Sequence, residues 1–271
     1  MPLAAGLYYL FHASAQEEKK LSPLILIHGA GGNSLSFPPQ IRRMAAGDIY
    51  ALDLPGHGQS EGLGRQTIEE YADEVAAWMK ALKIRRAILA GVSMGSAIAL
   101  TLALKYPRMV KALALIGAGA RLRVAQSILD TVGNAATFEA AVDFINANCF
   151  SENVSPSLLE LSKKQMMEIR PPVLLGDFLA CNTFNVVERL PEIKIPTLTI
   201  CGAEDKMTPV KYSQYLKDAL PRAQMRVVEN AGHLVMAEQP EVVADLLKSF
   251  VESIPVRTRK KKEVEAATVP S

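Results

Sequence analysis

Short uncharged apolar runs alternate along the chain with longer stretches in which apolar residues recur every three or four positions. Leu24-Ile25-Leu26-Ile27, Ala87 to Val92 and Ala112 to Ile116 have no polar face, the pattern of parallel strands buried on both sides, and Thr197 to Cys201 reads as the next strand after them. Asp48 to Leu52 and Met225 to Val228 read as further strands, and Gly6 to Ala13 as an early one before a polar turn from Ser14 to Lys20. Thr67 caps a helix in which Ile68, Tyr71, Val75, Trp78, Met79 and Leu82 share one face, with Glu69 and Glu70 in the first turn where the dipole favours them. Ala97 to Leu104 is apolar nearly all round, which predicts a helix enclosed by other elements. Tyr106-Pro107 ends it. Thr208-Pro209 opens a helix to Leu220, and Pro240 to Val251 forms the last one. Strands alternating with helices predict an α/β fold built on a mainly parallel, doubly wound sheet. The chain carries no internal repeat.

One interval breaks the rhythm. The strand at Ala112 to Ile116 and the next one, after Pro196, are separated by roughly 75 residues, far more than a single crossover helix needs. Helices are expected within it near Val124 to Thr131, from a Thr137 cap through Phe138, Ala141, Val142, Ile145 and Cys149, from Ser155-Pro156 to about Glu168, and from Pro171-Pro172 to about Asn182. The expected division is therefore a core of residues 1–117 and 191–254, a helical cap at 118–190, and a disordered tail at 255–271.

Composition narrows the class. With 271 residues, 49% of them hydrophobic, the chain can bury a large core. The net charge of +2 is misleading, because five basic and two acidic residues lie beyond Pro255, leaving 25 basic against 26 acidic residues before it. A basic tail on a near-neutral body does not call for nucleic acid as a partner. Cys149, Cys181 and Cys201 have apolar neighbours and no C-x-x-C spacing, which suits reduced core thiols. Met1 to Leu10 lacks a basic leader, and no uninterrupted apolar run reaches the ~18 residues of a membrane span. A cytoplasmic protein without stable membrane insertion is expected.

The candidate chemistry gathers around Gly91-Val92-Ser93-Met94-Gly95, a Gly-x-Ser-x-Gly turn between a buried strand and a buried helix. Chance alone supplies this motif in roughly one chain of this composition in fifteen, so its context must carry the weight. A serine hydroxyl needs a base within reach, an acid to orient that base, and donors for the oxyanion. His233 follows the last strand and Asp205 the strand before it, so both emerge with Ser93 at the carboxyl edge where open α/β sheets bind ligands. Glu204 is an alternative acid; His28 and His57, each beside glycines, read as loop-shaping residues, and Asn33 and Ser34 as turn residues.

Several segments together resemble the α/β-hydrolase superfamily: His28-Gly29, Asp53-Leu54-Pro55-Gly56-His57-Gly58-Gln59-Ser60, the Ser93 turn, Gly202-Ala203-Glu204-Asp205, and Gly232-His233 with Glu238-Gln239-Pro240 behind it. The resemblance spans Leu24 to Val251. It implies Ser93 as nucleophile, His233 as base, Asp205 as acid, the backbone N–H groups of Ala30 and Met94 as oxyanion donors, and the inserted helices as a lid. Ser93 as nucleophile favours a carboxylic ester hydrolase acting through an acyl-enzyme, with no cofactor or metal, and the apolar side chains of the inserted helices, Leu158, Leu159, Leu161, Met166, Phe178 and Leu179 among them, point to small to medium apolar acyl substrates. A lactonase, a carbon–carbon bond hydrolase and a cofactor-free perhydrolase share the triad, though Val92 stands where the carbon–carbon branch would favour Asn. A slow ligand receptor on the same fold is the alternative of a different class.

Overall fold

The computed structural model describes residues 2–14 and 21–255. Eight strands form one sheet: β1 (Leu3–Ala4), β2 (Leu7–His12), β3 (Leu24–Ile27), β4 (Ile49–Leu52), β5 (Ala87–Val92), β6 (Val110–Ile116), β7 (Thr197–Gly202) and β8 (Ala223–Val228). Their order is β1-β2-β4-β3-β5-β6-β7-β8. β1 pairs antiparallel with β2 and β2 with β4, and every other pairing is parallel. The expected doubly wound sheet is present. The early strand is present as β2, inside the expected Gly6 to Ala13, and Ala5-Gly6, both at positive φ, turn it back on the short β1 that precedes it.

Helices follow the strands: α1 (Pro39–Arg42), α2 (Ile68–Ala81), α3 (Met94–Lys105), α4 (Gln126–Val132), α5 (Phe138–Asn148), α6 (Pro156–Met167), α7 (Pro171–Thr183), α8 (Val210–Ala219), α9 (Val235–Glu238) and α10 (Pro240–Ser253). The unbroken apolar strands face two cores. Ile25, Ile27, Leu89, Leu113 and Leu115 pack with α2, α3 and α8, while Leu24, Leu26, Ile88, Ala90 and Ala114 pack with α1 and α10. Successive side chains thus enter opposite layers, so neither face of β3 or β5 tolerates a charge, and the one charged residue of β6, Lys111, sits at its partly exposed start. α3 has no solvent face from Met94 to Ala103 because it lies against both the sheet and α2.

Between β6 and β7 lie α4 to α7 and a 3₁₀ segment at Val187–Glu192. Side chains of α4 to α7, including Val132, Val142, Ile145, Leu174 and Phe178, form a third apolar cluster that Ala30 and Leu234 of the body join. Thr137 does not cap α5; its hydroxyl donates to Thr131 O at 2.8 Å, because Thr137 sits in a helix-like turn and not in the extended conformation that an N-cap needs. The short α1 and α9 lack enough periods to be seen in the sequence pattern. Except for Pro255, the expected tail falls outside the described residues.

The turn after β5 depends on contact distances no side chain can meet. A Cβ on Gly91 would lie 2.2 Å from Gly95 O, and one on Gly95 would lie 2.1 Å from Ile27 O. Gly95→Ala is therefore expected to cost about 3 kcal/mol of stability, the upper end of overpacking, as read by urea unfolding.

Candidate active site

Ser93 joins β5 to α3 with φ 53° and ψ −116°, a left-handed conformation that costs a non-glycine residue about 1–3 kcal/mol. Its N–H donates to Ile116 O at 2.9 Å, so the strained residue is tied to the end of the neighbouring strand. This turn aims the side chain away from the sheet, and Ser93 lines a cleft of about 840 Å³, measured to its open mouth.

His233 lines the same cleft. It follows β8 in a loop where Gly232 abuts the backbone of Phe150 too closely for any side chain. His233 Nδ1–H donates to Asp205 Oδ2 at 2.9 Å, and Asp205 is buried. This bond fixes the tautomer in which Nε2 keeps its lone pair. Asp205 Oδ1 accepts the N–H groups of Met207 and Thr208 at 2.9 and 2.8 Å. Oδ2 also accepts the Thr208 hydroxyl at 2.8 Å. Four donors fill the acceptor capacity of the carboxylate. Burial alone would raise the Asp205 pKa, but His233 and the Thr208 bonds outweigh it and hold the carboxyl below the ordinary range.

The remaining expectations divide. Ala30 lines the cleft with Ser93 and His233, whereas the Met94 side chain is buried in the core and its N–H opens α3. Glu204 is turned away from His233 and accepts Glu152 N–H at 3.0 Å. His28 accepts Leu54 N–H on Nε2 at 3.0 Å and donates from Nδ1 to Gly29 O at 2.7 Å. Burial pushes its pKa down to about 3, so it is a neutral brace between two loops. Asn33 caps the 3₁₀ turn Ser34–Ser36, and Ser34 N–H donates to Asp53 at 2.6 Å. All three cysteines are free and buried. Cys149 reaches the cleft, but burial raises its thiol to about 12, leaving it un-ionised and a poor nucleophile.

Sequence reasoning missed four contributors. Thr208 read only as the start of α8, yet its hydroxyl braces Asp205 and lies 3.1 Å from His233 Nδ1. Gly117, at φ 54°, sits under the imidazole, where a Cβ would come within 3.0 Å of the ring. Glu238 accepts Gly232 N–H at 2.6 Å and Ser151 N–H at 3.1 Å, tying the His233 loop to the inserted helices. Asp177 of α7 is fully buried and binds His57 Nε2 at 2.8 Å. Asp177 had a visible signal, a lone acid in the apolar run Val173 to Cys181, and Glu238 stood in the Glu238-Gln239-Pro240 segment with no role assigned to it.

Parallel strands flanked by helices, with a serine turn after the fifth strand and an Asp–His pair at the same edge, define a hydrolase of the α/β class. A model of the Alpha/beta hydrolase family matches residues 24–246, and the chain belongs to that family. It is 28% identical over 263 residues to a pimeloyl-[acyl-carrier protein] methyl ester esterase of Neisseria meningitidis serogroup C, covering 88% of this chain and 99% of that one. It is 26% identical over 212 residues to 3-oxoadipate enol-lactonase 1 of Acinetobacter baylyi, covering 76% and 79%. The solved structure of a thermophilic esterase aligns with TM-score 0.76 and 30% identity over 92% of this chain and 98% of that one. Among the described residues no helix is long and apolar enough to cross a membrane.

Because the Asp205 carboxyl is depressed, the stability it contributes is fully present above its unfolded pKa of about 4 and is lost as pH falls through the folded value. The melting-temperature difference between the wild-type and Asp205→Asn chains should be largest at neutral pH and shrink below about pH 4; a scan of Tm against pH checks this.

Proposed function

We propose that the chain hydrolyses uncharged esters with apolar acyl groups through an acyl-Ser93 intermediate. The observation that carries this reading is one cleft holding the Ser93 hydroxyl and the Asp205-braced imidazole between apolar walls. His233 Nε2 takes the Ser93 proton as Oγ adds to the ester carbonyl. The oxygen that becomes negative is met by the N–H groups of Ala30 and Met94. The protonated imidazole then gives its proton to the leaving alcohol. Water, deprotonated by the same nitrogen, cleaves the acyl-enzyme and returns Ser93 to its starting state.

The walls narrow the substrate. Ile145, Phe150, Leu158, Met166, Phe178 and Met236 line the cleft together with Ser162 and Gln165, and His233 is the one ionisable ring among them. No Lys or Arg faces the cleft among the described lining residues, so a substrate bearing its own carboxylate would lose its hydration without a partner. Unbranched neutral acyl chains fit a Met-containing apolar wall. In this reading α4 to α7 act as a cap that supplies the acyl wall, because Leu158, Met166 and Phe178 all come from them. The lactonase similarity favours a second reading on the same machinery, ring opening of a neutral lactone, which differs only in that the leaving alkoxide stays attached to the acyl group.

Ser93→Ala should lower kcat by about 10⁴-fold or more with folding retained, because the nucleophile and its base act as a unit. On p-nitrophenyl esters of increasing chain length, kcat/KM should rise from acetate to medium chains; absence of turnover at every length rejects the ester reading. Thr208→Val removes one bond to the charged Asp205, worth about 1.5 kcal/mol, and should slow kcat about tenfold, measured on the best ester.

A further inference from the structure

The loop carrying Ala30 is held from the inserted helices as well as from the body. Asp177, in the middle of α7, accepts Gly31 N–H on Oδ2 at 2.8 Å. The same oxygen takes His57 Nε2–H at 2.8 Å, and Oδ1 takes the Tyr71 hydroxyl. The carboxylate, the His57 ring and the Tyr71 side chain are all excluded from solvent. Leu174, one turn before Asp177, presses so closely on Gly31 that a Cβ there would lie 2.9 Å from Leu174 Cδ1. Gly31 itself is at φ 67°, a conformation that needs glycine.

His57 identifies the charge state of this cluster. Its Nδ1 is 3.0 Å from Pro55 O while its Nε2 faces Asp177, so both ring nitrogens point at acceptors and both carry protons. Burial works against that charge, but Asp177 overrides it and raises the His57 pKa above its ordinary value. His57, in the loop after β4, is itself stacked beside His28, with ring centroids 4.8 Å apart. The cluster therefore joins three segments around one buried ion pair: the glycine loop after β3, the loop after β4 with α2 behind it, and α7. An apolar residue would suffice at position 177 if packing α7 were its whole task, because a buried charge is costly unless it is paired and hydrogen-bonded.

We propose that Asp177 is a positioning residue for the oxyanion loop: by binding Gly31 N–H from α7, it fixes the adjoining Ala30 peptide so that its N–H meets the substrate oxygen beside Ser93. This rests on the reading of Ser93 and Ala30 given under Proposed function. Its consequence is that the hydrolytic centre is complete only while α7 is docked. A bound acyl chain that presses on α6 and α7 through Met166 and Phe178 acts on the same helices that aim the oxyanion donor.

Asp177→Ala tests this. It removes the oxygen shared by Gly31 N–H and His57, which an asparagine could keep by turning its NH₂ toward the Tyr71 hydroxyl. On the best neutral ester, kcat should fall about tenfold or more while KM stays within about twofold, since oxyanion donors act in the transition state. The rate of Ser93 labelling by a fluorophosphonate should fall by a similar factor, because its phosphoryl oxygen uses the same donors. His57→Gln should act in the same direction, and the double variant should be less impaired than independent effects would make it. Tyr71→Phe, which spares both bonds to Oδ2, should keep kcat within about threefold of wild type. A folded Asp177→Ala chain with wild-type kcat and labelling rate overturns the proposal, as does a loss confined to KM. Where Asp177→Ala does not fold, His57→Gln takes its place: a folded His57→Gln chain with wild-type kcat and labelling rate, or with a loss confined to KM, overturns the proposal in the same way. A wild-type chain that fluorophosphonate does not label at Ser93 overturns instead the reading beneath the proposal.

Discussion

The approach of α3 to the sheet at Gly91 and Gly95 is the constraint on which the rest depends. Because Gly95 lies against Ile27 O and Gly91 against Gly95 O, the chain leaves β5 and enters α3 within one residue, and that residue is forced into a left-handed conformation. The strain is held by α3, which has no solvent face and packs against the sheet and α2. A surface helix could relax by tilting outward; an enclosed one cannot, so the Ser93 side chain keeps its exit direction. The same contact places the glycine loop after β3 beside the serine, since a Cβ on Gly29 would lie 3.2 Å from Ser93 Cβ.

Two buried carboxylates then serve different ends, and their partners explain the difference. Asp205 is saturated by a backbone turn of its own segment, Met207 and Thr208, before it meets His233. It is a locally pre-organised acceptor that can orient an imidazole without help from distant elements. Asp177 has no donor from its own helix among its partners; Gly31, His57 and Tyr71 all come from the body. Its energy is consequently available only when separate elements are assembled, which makes it a measure of docking. A second tie runs in parallel, where Glu238 binds both Gly232 and Ser151 and Leu234 N–H donates to Cys149 O at 2.9 Å. The inserted helices are thus fastened beside the glycine loop after β3 and beside the loop carrying His233.

What was legible in the sequence follows the range of the interactions. β3 and β5 are visible because burial on both faces leaves no polar position, β6 because its run from Ala112 to Ile116 is apolar throughout, and α2 because Thr67 caps it, accepting Glu70 N–H at 3.2 Å. Ser93, Asp205 and His233 are legible because each follows a recognisable strand, so topology alone brings them to one edge. Thr208 was hidden by its neighbour, since Thr-Pro has a sufficient local explanation as a helix start. Asp177 was legible only as a lone acid in an apolar run and Glu238 only as part of Glu238-Gln239-Pro240; their partners Gly31 and Ser151, 146 and 87 residues away, were hidden, because no periodicity encodes which loop a helix will meet.

The Asp53 to Ser60 segment shows how a recognisable motif can be structural in a specific sense. Asp53 accepts Ser34 and Gln59 N–H groups at 2.6 and 2.8 Å, and a Cβ on Gly58 would lie 2.1 Å from its carboxylate. Ser60 Oγ donates to Asp53 O and accepts Tyr8 N–H. The segment therefore closes on itself while gripping the turn that follows the glycine loop. His57 is presented by this closed loop as a charged donor toward Asp177, and His28 is held neutral by Leu54 N–H from its other side. Two histidines 4.8 Å apart could not both be protonated here at tolerable cost, so one brace is neutral and the other is matched to a carboxylate. The division of charge is set by which acceptor each ring meets, and the acceptor that decides it belongs to α7.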